Sequence, residues 1–224
     1  MAIDKRITAV AEKLQGIKDG ATVMLSGFGG AGFANTLILA LRDAGPRDLT
    51  MVSNSATHLL GRTQVLIEAN MVRKVICSAA RGRGKELSPF EEQWKAGKIE
   101  LEVLPQGTMA ERIRAGGAGI PAFYTPAGVG TDLVKGKEIR RFNGRDYVLE
   151  TAIEGDLALI RGDLADRFGN VTFRGTQANF GPAMATACKL AIVEVFATLA
   201  EAIPPERVML PGVFVDHVLA VGGR

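Results

Sequence analysis

Apolar positions along the chain change their spacing in a regular way, and each spacing predicts an element. Ile7, Val10, Ala11 and Leu14 recur at helical intervals and predict an amphipathic opening helix that ends at Asp19-Gly20. Thr22 to Leu25 is a short apolar run that fits a buried strand, and the glycine-rich stretch Ser26-Gly27-Phe28-Gly29-Gly30-Ala31-Gly32 follows it. A helix from about Thr36 to Ala44 comes next, with Asn35 as N-cap. Leu49 to Ser53 predicts a strand, Leu59 to Ala69 a helix and Val72 to Cys77 another strand.

This alternation argues for a parallel sheet with helices on its faces. It continues with Ser88-Pro89-Phe90-Glu91, a capping box with proline at the first helical position, which predicts a helix through Trp94. Ile99 to Leu104 alternates apolar and acidic residues, as a half-exposed strand does. After the turn Pro105-Gln106-Gly107, Thr108 and Glu111 predict a second capping box, on a helix that stops at Gly116-Gly117. The second half reads differently. Asn143-Gly144 lies between Ile139–Phe142 and Tyr147–Leu149, a hairpin signal because type I′ turns need positive φ at both central positions. Leu157–Ile160, Val171–Phe173, Leu190–Val195 and Val213–Val221 predict further strands, with Asp166 to Asn170 and Pro211-Gly212 as turns. The expected fold is an open, mainly parallel α/β sheet flanked by helices, with a small antiparallel hairpin extension. No repeat or long linker divides the chain, so residues 1–224 are expected to form a single domain.

Composition narrows the function more than the fold. The 224 residues are 47% hydrophobic and 23% charged, with a net charge of +3 and no long block of one sign. Nucleic acid is therefore not the expected partner. No run approaches ~18 apolar residues and the opening lacks an apolar signal region, so neither a membrane span nor export is expected and the chain reads as cytoplasmic. Cys77 and Cys188 are the only cysteines and lack metal-ligand spacing, as do His58 and His217, so no metal is expected.

Gly27-Phe28-Gly29-Gly30-Ala31-Gly32 satisfies G-x-G-x-x-G between a strand and a helix, where exposed N–H groups favour anions. A nicotinamide site also needs an acid at the end of the next strand. That strand ends in Ser53-Asn54-Ser55, and the nearest acid, Asp48, stands at its beginning. The dinucleotide reading fails there, which leaves another ligand or tight packing alone.

Four blocks carry a family resemblance. Asp19-Gly20-Ala21-Thr22-Val23-Met24-Leu25-Ser26-Gly27-Phe28 with Gly32 resembles the N-terminal signature of class I coenzyme A transferases, with Ser26 in place of a glycine and Ala34 in place of a proline. The run from Leu104-Pro105-Gln106-Gly107-Thr108 through Ala115-Gly116-Gly117-Ala118-Gly119 to Tyr124-Thr125-Pro126 resembles the long block of the family's A subunits. Asp166–Asn170 with Asn179-Phe180-Gly181-Pro182, and Leu210–Asp216, resemble two more, all in family order.

The resemblance implies a ping-pong exchange of CoA between an acyl-CoA and a carboxylic acid through a glutamyl-CoA thioester, a covalent route that divides a hard step. The family's glutamate lies in a Ser-Glu-x-Gly type motif of the B subunit, which this chain lacks. Glu150 and Glu154, the nearest candidates, read as an exposed strand end and a turn. The chain is thus expected to need a B subunit, in a heterodimer or heterotetramer, and to take CoA as a substrate with no permanently bound cofactor. By the same resemblance Gln106 faces the catalytic glutamate and donates to an oxyanion or substrate carboxylate. Asn54 and Gly119 are candidate substrate contacts, and Ser26, Gly27, Phe28, Gly29, Gly30, Ala31 and Gly32 meet CoA or shape the acyl pocket. The Arg81-Gly82-Arg83-Gly84-Lys85 loop reads as solvated, with CoA phosphates as its alternative partner. The blocks look most like acetoacetate- and 3-oxoadipate-type enzymes, with succinate or a similar acid as acceptor. A hydrolase or ring-opening subunit on the same scaffold, and a non-catalytic α/β ligand-binding domain, are the alternative readings.

Overall fold

The structure, a computed structural model, describes residues 3–58, 60–82 and 84–222. Its first half runs β1 (Arg6–Ile7), α1 (Ala11–Leu14), β2 (Thr22–Leu25), α2 (Asn35–Ala44), β3 (Leu49–Ser53), α3 (Gln64–Glu68), β4 (Val72–Cys77), α4 (Pro89–Lys95), β5 (Glu100–Val103) and α5 (Gln106–Gly117). Then come β6 (Ala122–Thr125), β7 (Ile139–Phe142), β8 (Arg145–Thr151), β9 (Gly155–Arg161), β10 (Leu164–Ala165), β11 (Val171–Thr172), α6 (Gly181–Ala187), β12 (Cys188–Val195), β13 (Ala197–Thr198) and β14 (His217–Ala220).

Eight strands form one sheet in the order β1-β14-β12-β9-β2-β3-β4-β5, and every neighbouring pair is parallel. Alternate residues of the inner strands enter two different apolar layers. Val23, Leu25, Met51, Val75, Leu157 and Leu159 pack with α2, α3 and α4 through Leu37, Ile38, Leu41, Leu66, Ile67 and Phe90. Met24, Val52, Ile76, Ala158 and Ile160 pack on the other face with Met109, Ile113, Met184 and Ala185 of α5 and α6. Burial on both faces is why these strands read as continuous apolar runs. The expected hairpin is present: β7 and β8 pair antiparallel, and Asn143 and Gly144 both have positive φ, 48° and 78°. β8 also pairs with β6, and a small sheet β11-β10-β13 completes the strands. No helix among the described residues is long and apolar enough to cross a membrane.

Tertiary contacts override several local signals. Ile7 lies in β1, paired with Leu219, and the opening helix shrinks to the single turn α1. Helix α2 starts at Asn35 with Ala34 as N-cap; the Asn35 side chain instead donates to Leu60 O (3.1 Å) and accepts from Arg62 N (2.8 Å), tying down the next loop. Helix α3 is shorter than expected, and Leu59 lies outside the described residues. The Ser88–Glu91 capping box forms on α4. The Thr108–Glu111 box does not: α5 begins two residues earlier, at Gln106, so Thr108 is already inside the helix with its hydroxyl buried and unpartnered among the described residues. Helix α5 does end at Gly117, as expected. Gly117 has a packing role as well, since a side chain there would collide with Thr186 of α6, and one at Gly116 would strike Ile153 O. The expected strand at Val213–Val221 is confined to β14, because Gly212–Phe214 forms a 3₁₀ turn.

Candidate active site

Parallel order brings the loops after β2, β3, β4 and β5 to one sheet edge, the edge at which open α/β sheets bind ligands. Asn54 follows β3, Ser78 follows β4 and Gln106 follows β5 as the first residue of α5. Their side chains meet. Gln106 Nε2 donates to Asn54 Oδ1 at 2.7 Å, and Ser78 Oγ lies 3.0 Å from that same oxygen and 3.1 Å from Asn54 O. Asn54 is 5% exposed whereas Gln106 is open to solvent. Neither Asn54 Nδ2 nor Gln106 Oε1 has a bond among the described residues. Gln106 also stands in the first turn of a 12-residue helix, whose positive end favours negative charge nearby. The cluster therefore offers the Asn54 NH₂, the second Nε2 hydrogen of Gln106 and a helix terminus, without a fixed charge, to a carbonyl or carboxylate oxygen.

The glycine loop is built the other way at its root. Ser26, 1% exposed, donates to Gly32 O (2.6 Å) and accepts from Arg161 N (3.2 Å), so it supplies internal bonds where the signature it resembles carries glycine. Asn179 holds both arms: its Oδ1 accepts from Gly27 N (3.1 Å) and its Nδ2 donates to Ala31 O (3.2 Å) and Gln177 O (2.9 Å). Gly32 is buried at positive φ, 78°, where any side chain would strike Asn179. The anion site expected at the α2 terminus is occupied from within. Glu194, 2% exposed at the end of β12, accepts from Leu37 N (3.0 Å) and pairs with Arg161 (3.2 Å). Burial raises its carboxyl above the usual range, with the Leu37 N–H and the Arg161 charge offsetting part of the effect. Only the tip, Phe28 with Gly29 and Gly30, faces solvent.

Gly119 does not join this edge. It lies at the far end of α5, about 18 Å from Gln106 by helical rise. There, at φ 69°, it closes a Schellman motif: its N–H bonds Gly116 O (3.2 Å) and Ile120 N bonds Ala115 O (2.9 Å). Its left-handed backbone is accounted for by the helix end.

The carboxylates differ from expectation too. Glu150 is no exposed strand end; at 4% exposure it binds Lys137 (2.6 Å) and faces Arg112 (3.6 Å). Asp166 is fully buried: burial pushes its carboxyl up, but Asn170, Ile203 N and Phe168 N together hold it below its usual range. Glu150, Asp166 and Glu194, the buried acids among the described residues, are thus all committed to internal partners. Both thiols are poor nucleophiles. Burial pushes Cys77 up to about 11 and Cys188 up to about 12. His58 stacks on Phe33 at 4.4 Å, and the described residues contain no group able to hold a metal. Arg83 of the basic loop lies outside the described residues; Arg81, Gly84 and Lys85 are exposed. Ser78 is the participant that no sequence pattern singled out. Its only signal is its place, directly after a buried parallel strand.

The coenzyme A transferase family model matches residues 7–220. The chain belongs to that family. It is 47% identical over 223 residues to the A subunit of 3-oxoadipate CoA-transferase from Pseudomonas putida, covering 99% of this chain and 95% of that one. It is also 47% identical over 218 residues to the A subunit of succinyl-CoA:3-ketoacid coenzyme A transferase from Xanthomonas campestris, covering 96% and 88%. An acyl-CoA transferase from Escherichia coli O157:H7, solved as a thioester complex with CoA, shares the fold with a TM-score of 0.82 at 23% identity. This transferase chain is covered to 98% but spans about half of the solved one, 47%.

Proposed function

We propose that this chain is the A subunit of a heteromeric CoA transferase that moves CoA between a 3-oxo or other short acyl-CoA and a carboxylic acid such as succinate. The observation that carries the reading is the Asn54–Gln106 carboxamide pair at the sheet edge, which leaves Asn54 Nδ2 without a partner among the described residues. In acyl exchange at a glutamate, each tetrahedral intermediate carries an oxyanion that fixed donors stabilise. Gln106 and Asn54 would serve that oxygen, and the glycine-loop tip Phe28-Gly29-Gly30 would line the acyl or pantetheine path.

The nucleophilic glutamate belongs, on this reading, to a B subunit. Commitment of Glu150, Asp166 and Glu194 to internal partners supports that assignment, and so does the likeness to relatives that are themselves A subunits. The chain would act as one domain in the cytoplasm, with CoA as substrate rather than resident cofactor. The test is CoA transfer from succinyl-CoA to acetoacetate and to 3-oxoadipate by the complex with its B subunit. Transfer that falls about 10²-fold in Gln106→Ala, with assembly retained, supports the reading. A change under threefold returns Gln106 to a structural turn, and thioester hydrolysis without transfer makes the chain a hydrolase subunit.

A further inference from the structure

Asn54 can serve an acyl oxygen only if its carboxamide presents the NH₂ end, and the isolated side chain does not choose between its ends. Three neighbouring strands decide the matter. Ser78 N and Ala79 N both donate to Asn54 O at 3.1 Å, which clamps the end of β4 to the end of β3. The clamp sets Ser78 Oγ 3.0 Å from Asn54 Oδ1, while Gln106 Nε2 reaches the same atom at 2.7 Å from α5. A carboxamide oxygen accepts two hydrogen bonds, and an NH₂ group accepts none. Ser78 Oγ also lies 3.1 Å from Asn54 O, but that carbonyl already accepts from Ser78 N and Ala79 N, so the one hydroxyl hydrogen is left to Oδ1. A flip would set NH₂ against Gln106 Nε2 and turn the hydroxyl into an acceptor whose own hydrogen has no open acceptor. Nδ2 is then the end left without a protein partner among the described residues.

We infer that Ser78 is a positioning residue for the transfer reaction: its hydroxyl orients Asn54 so that Nδ2 is the donor offered to the acyl oxygen. This rests on the function proposed above and adds to it a residue that touches no substrate. A hydroxyl that merely held β4 to β3 would do so whatever Asn54 became, because the backbone bonds from Ser78 and Ala79 do not need either side chain.

A double-mutant cycle on the complex with its B subunit separates the possibilities. Ser78→Ala is expected to lower kcat about three- to tenfold, the effect of one neutral hydrogen bond, with KM for the acyl-CoA within about twofold. Ser78→Thr, which keeps the hydroxyl, is expected to stay within about twofold of the parent. Asn54→Ala is expected to lower kcat by ~10²-fold, and adding Ser78→Ala to it to cost nothing more. Elution volume and Tm of each complex check assembly; if Ser78→Ala fails to assemble, Ser78→Cys carries the same cycle. An unchanged kcat in Ser78→Ala, or an undiminished loss in the Asn54→Ala background, overturns the positioning role while leaving the function intact. Asn54→Ala at the parent rate overturns both.

Discussion

The glycine loop after β2 and the carboxamide cluster after β3, β4 and β5 share one edge of one sheet, yet they dispose of their polar groups in opposite ways. The loop carries the conspicuous motif, but Ser26, Gly27, Ala31 and the start of α2 are bonded to Gly32, Asn179 and Glu194. The cluster has no motif of its own in Ser53-Asn54-Ser55 or Cys77-Ser78, and it leaves Asn54 Nδ2 and Gln106 Oε1 without a described partner. A glycine pattern reports where the backbone must turn tightly. A binding site needs groups still able to bond, and on this edge they lie in the plainer segment.

If that contrast holds, changes to the loop root should act on stability and changes to the cluster on rate. The largest effect is expected at Glu194. Glu194→Ala strands Leu37 N–H and removes the Glu194–Arg161 ion pair, and is predicted to cost about 3 kcal/mol, the low end for a broken buried pair because Arg161 keeps some solvent. Urea unfolding measures it; a loss below about 1 kcal/mol would mean that the α2 terminus is open to ligand after all. Gln106→Ala comes next, with ~10²-fold less turnover and stability within about 0.5 kcal/mol of the parent, as for a surface change. The reverse pattern, unfolding without a specific rate loss, would erase the distinction between the regions.

Asn179→Ala is predicted to cost about 1–3 kcal/mol, since buried Gly27 N–H loses its acceptor. A pH series sharpens the same point. Burial raises the Glu194 carboxyl, so the folded chain holds that proton more tightly than the unfolded chain does. Its contribution is therefore fully present below the ordinary carboxylate range and is lost as pH rises through the raised folded value. Glu194→Gln should remove that part of the slope in unfolding free energy; an unchanged slope would assign it elsewhere. The smallest effect concerns Cys77, one residue from Ser78. With its thiol pushed up to about 11, iodoacetamide at neutral pH should leave Cys77 unmodified by mass spectrometry and activity intact.

Legibility in the sequence followed the range of the interactions. Strands β2, β3, β4, β9 and β12 were readable because burial on both faces demands apolar runs, and the β7–β8 hairpin because Asn143-Gly144 must adopt positive φ. The Ser88 box was readable because both its partners lie within one turn. What depended on distant partners was not. Ile7 becomes a strand through Leu219, Asn35 is drawn from capping to the Leu60–Arg62 loop, and Glu194 reaches α2 from 157 positions away. Helix α6 and the strands β6, β10 and β13 are short, with too few periodic positions to register. Gln106 and Asn54 were found through family resemblance and their place after strands. Their hydrogen bond, and Ser78 beside it, needed the register that sets β3, β4 and β5 side by side.

The central claim is that this chain is half of a shared active site, contributing the carboxamides while a partner contributes the glutamate. It is tested most directly by following CoA transfer from succinyl-CoA to a 3-oxoacid with this chain by itself, with the isolated B subunit, and with the two together. Turnover only in the mixture, falling ~10²-fold when the mixture carries Gln106→Ala, is the predicted result. Turnover by this chain by itself, or a mixture indifferent to Gln106, would contradict the account.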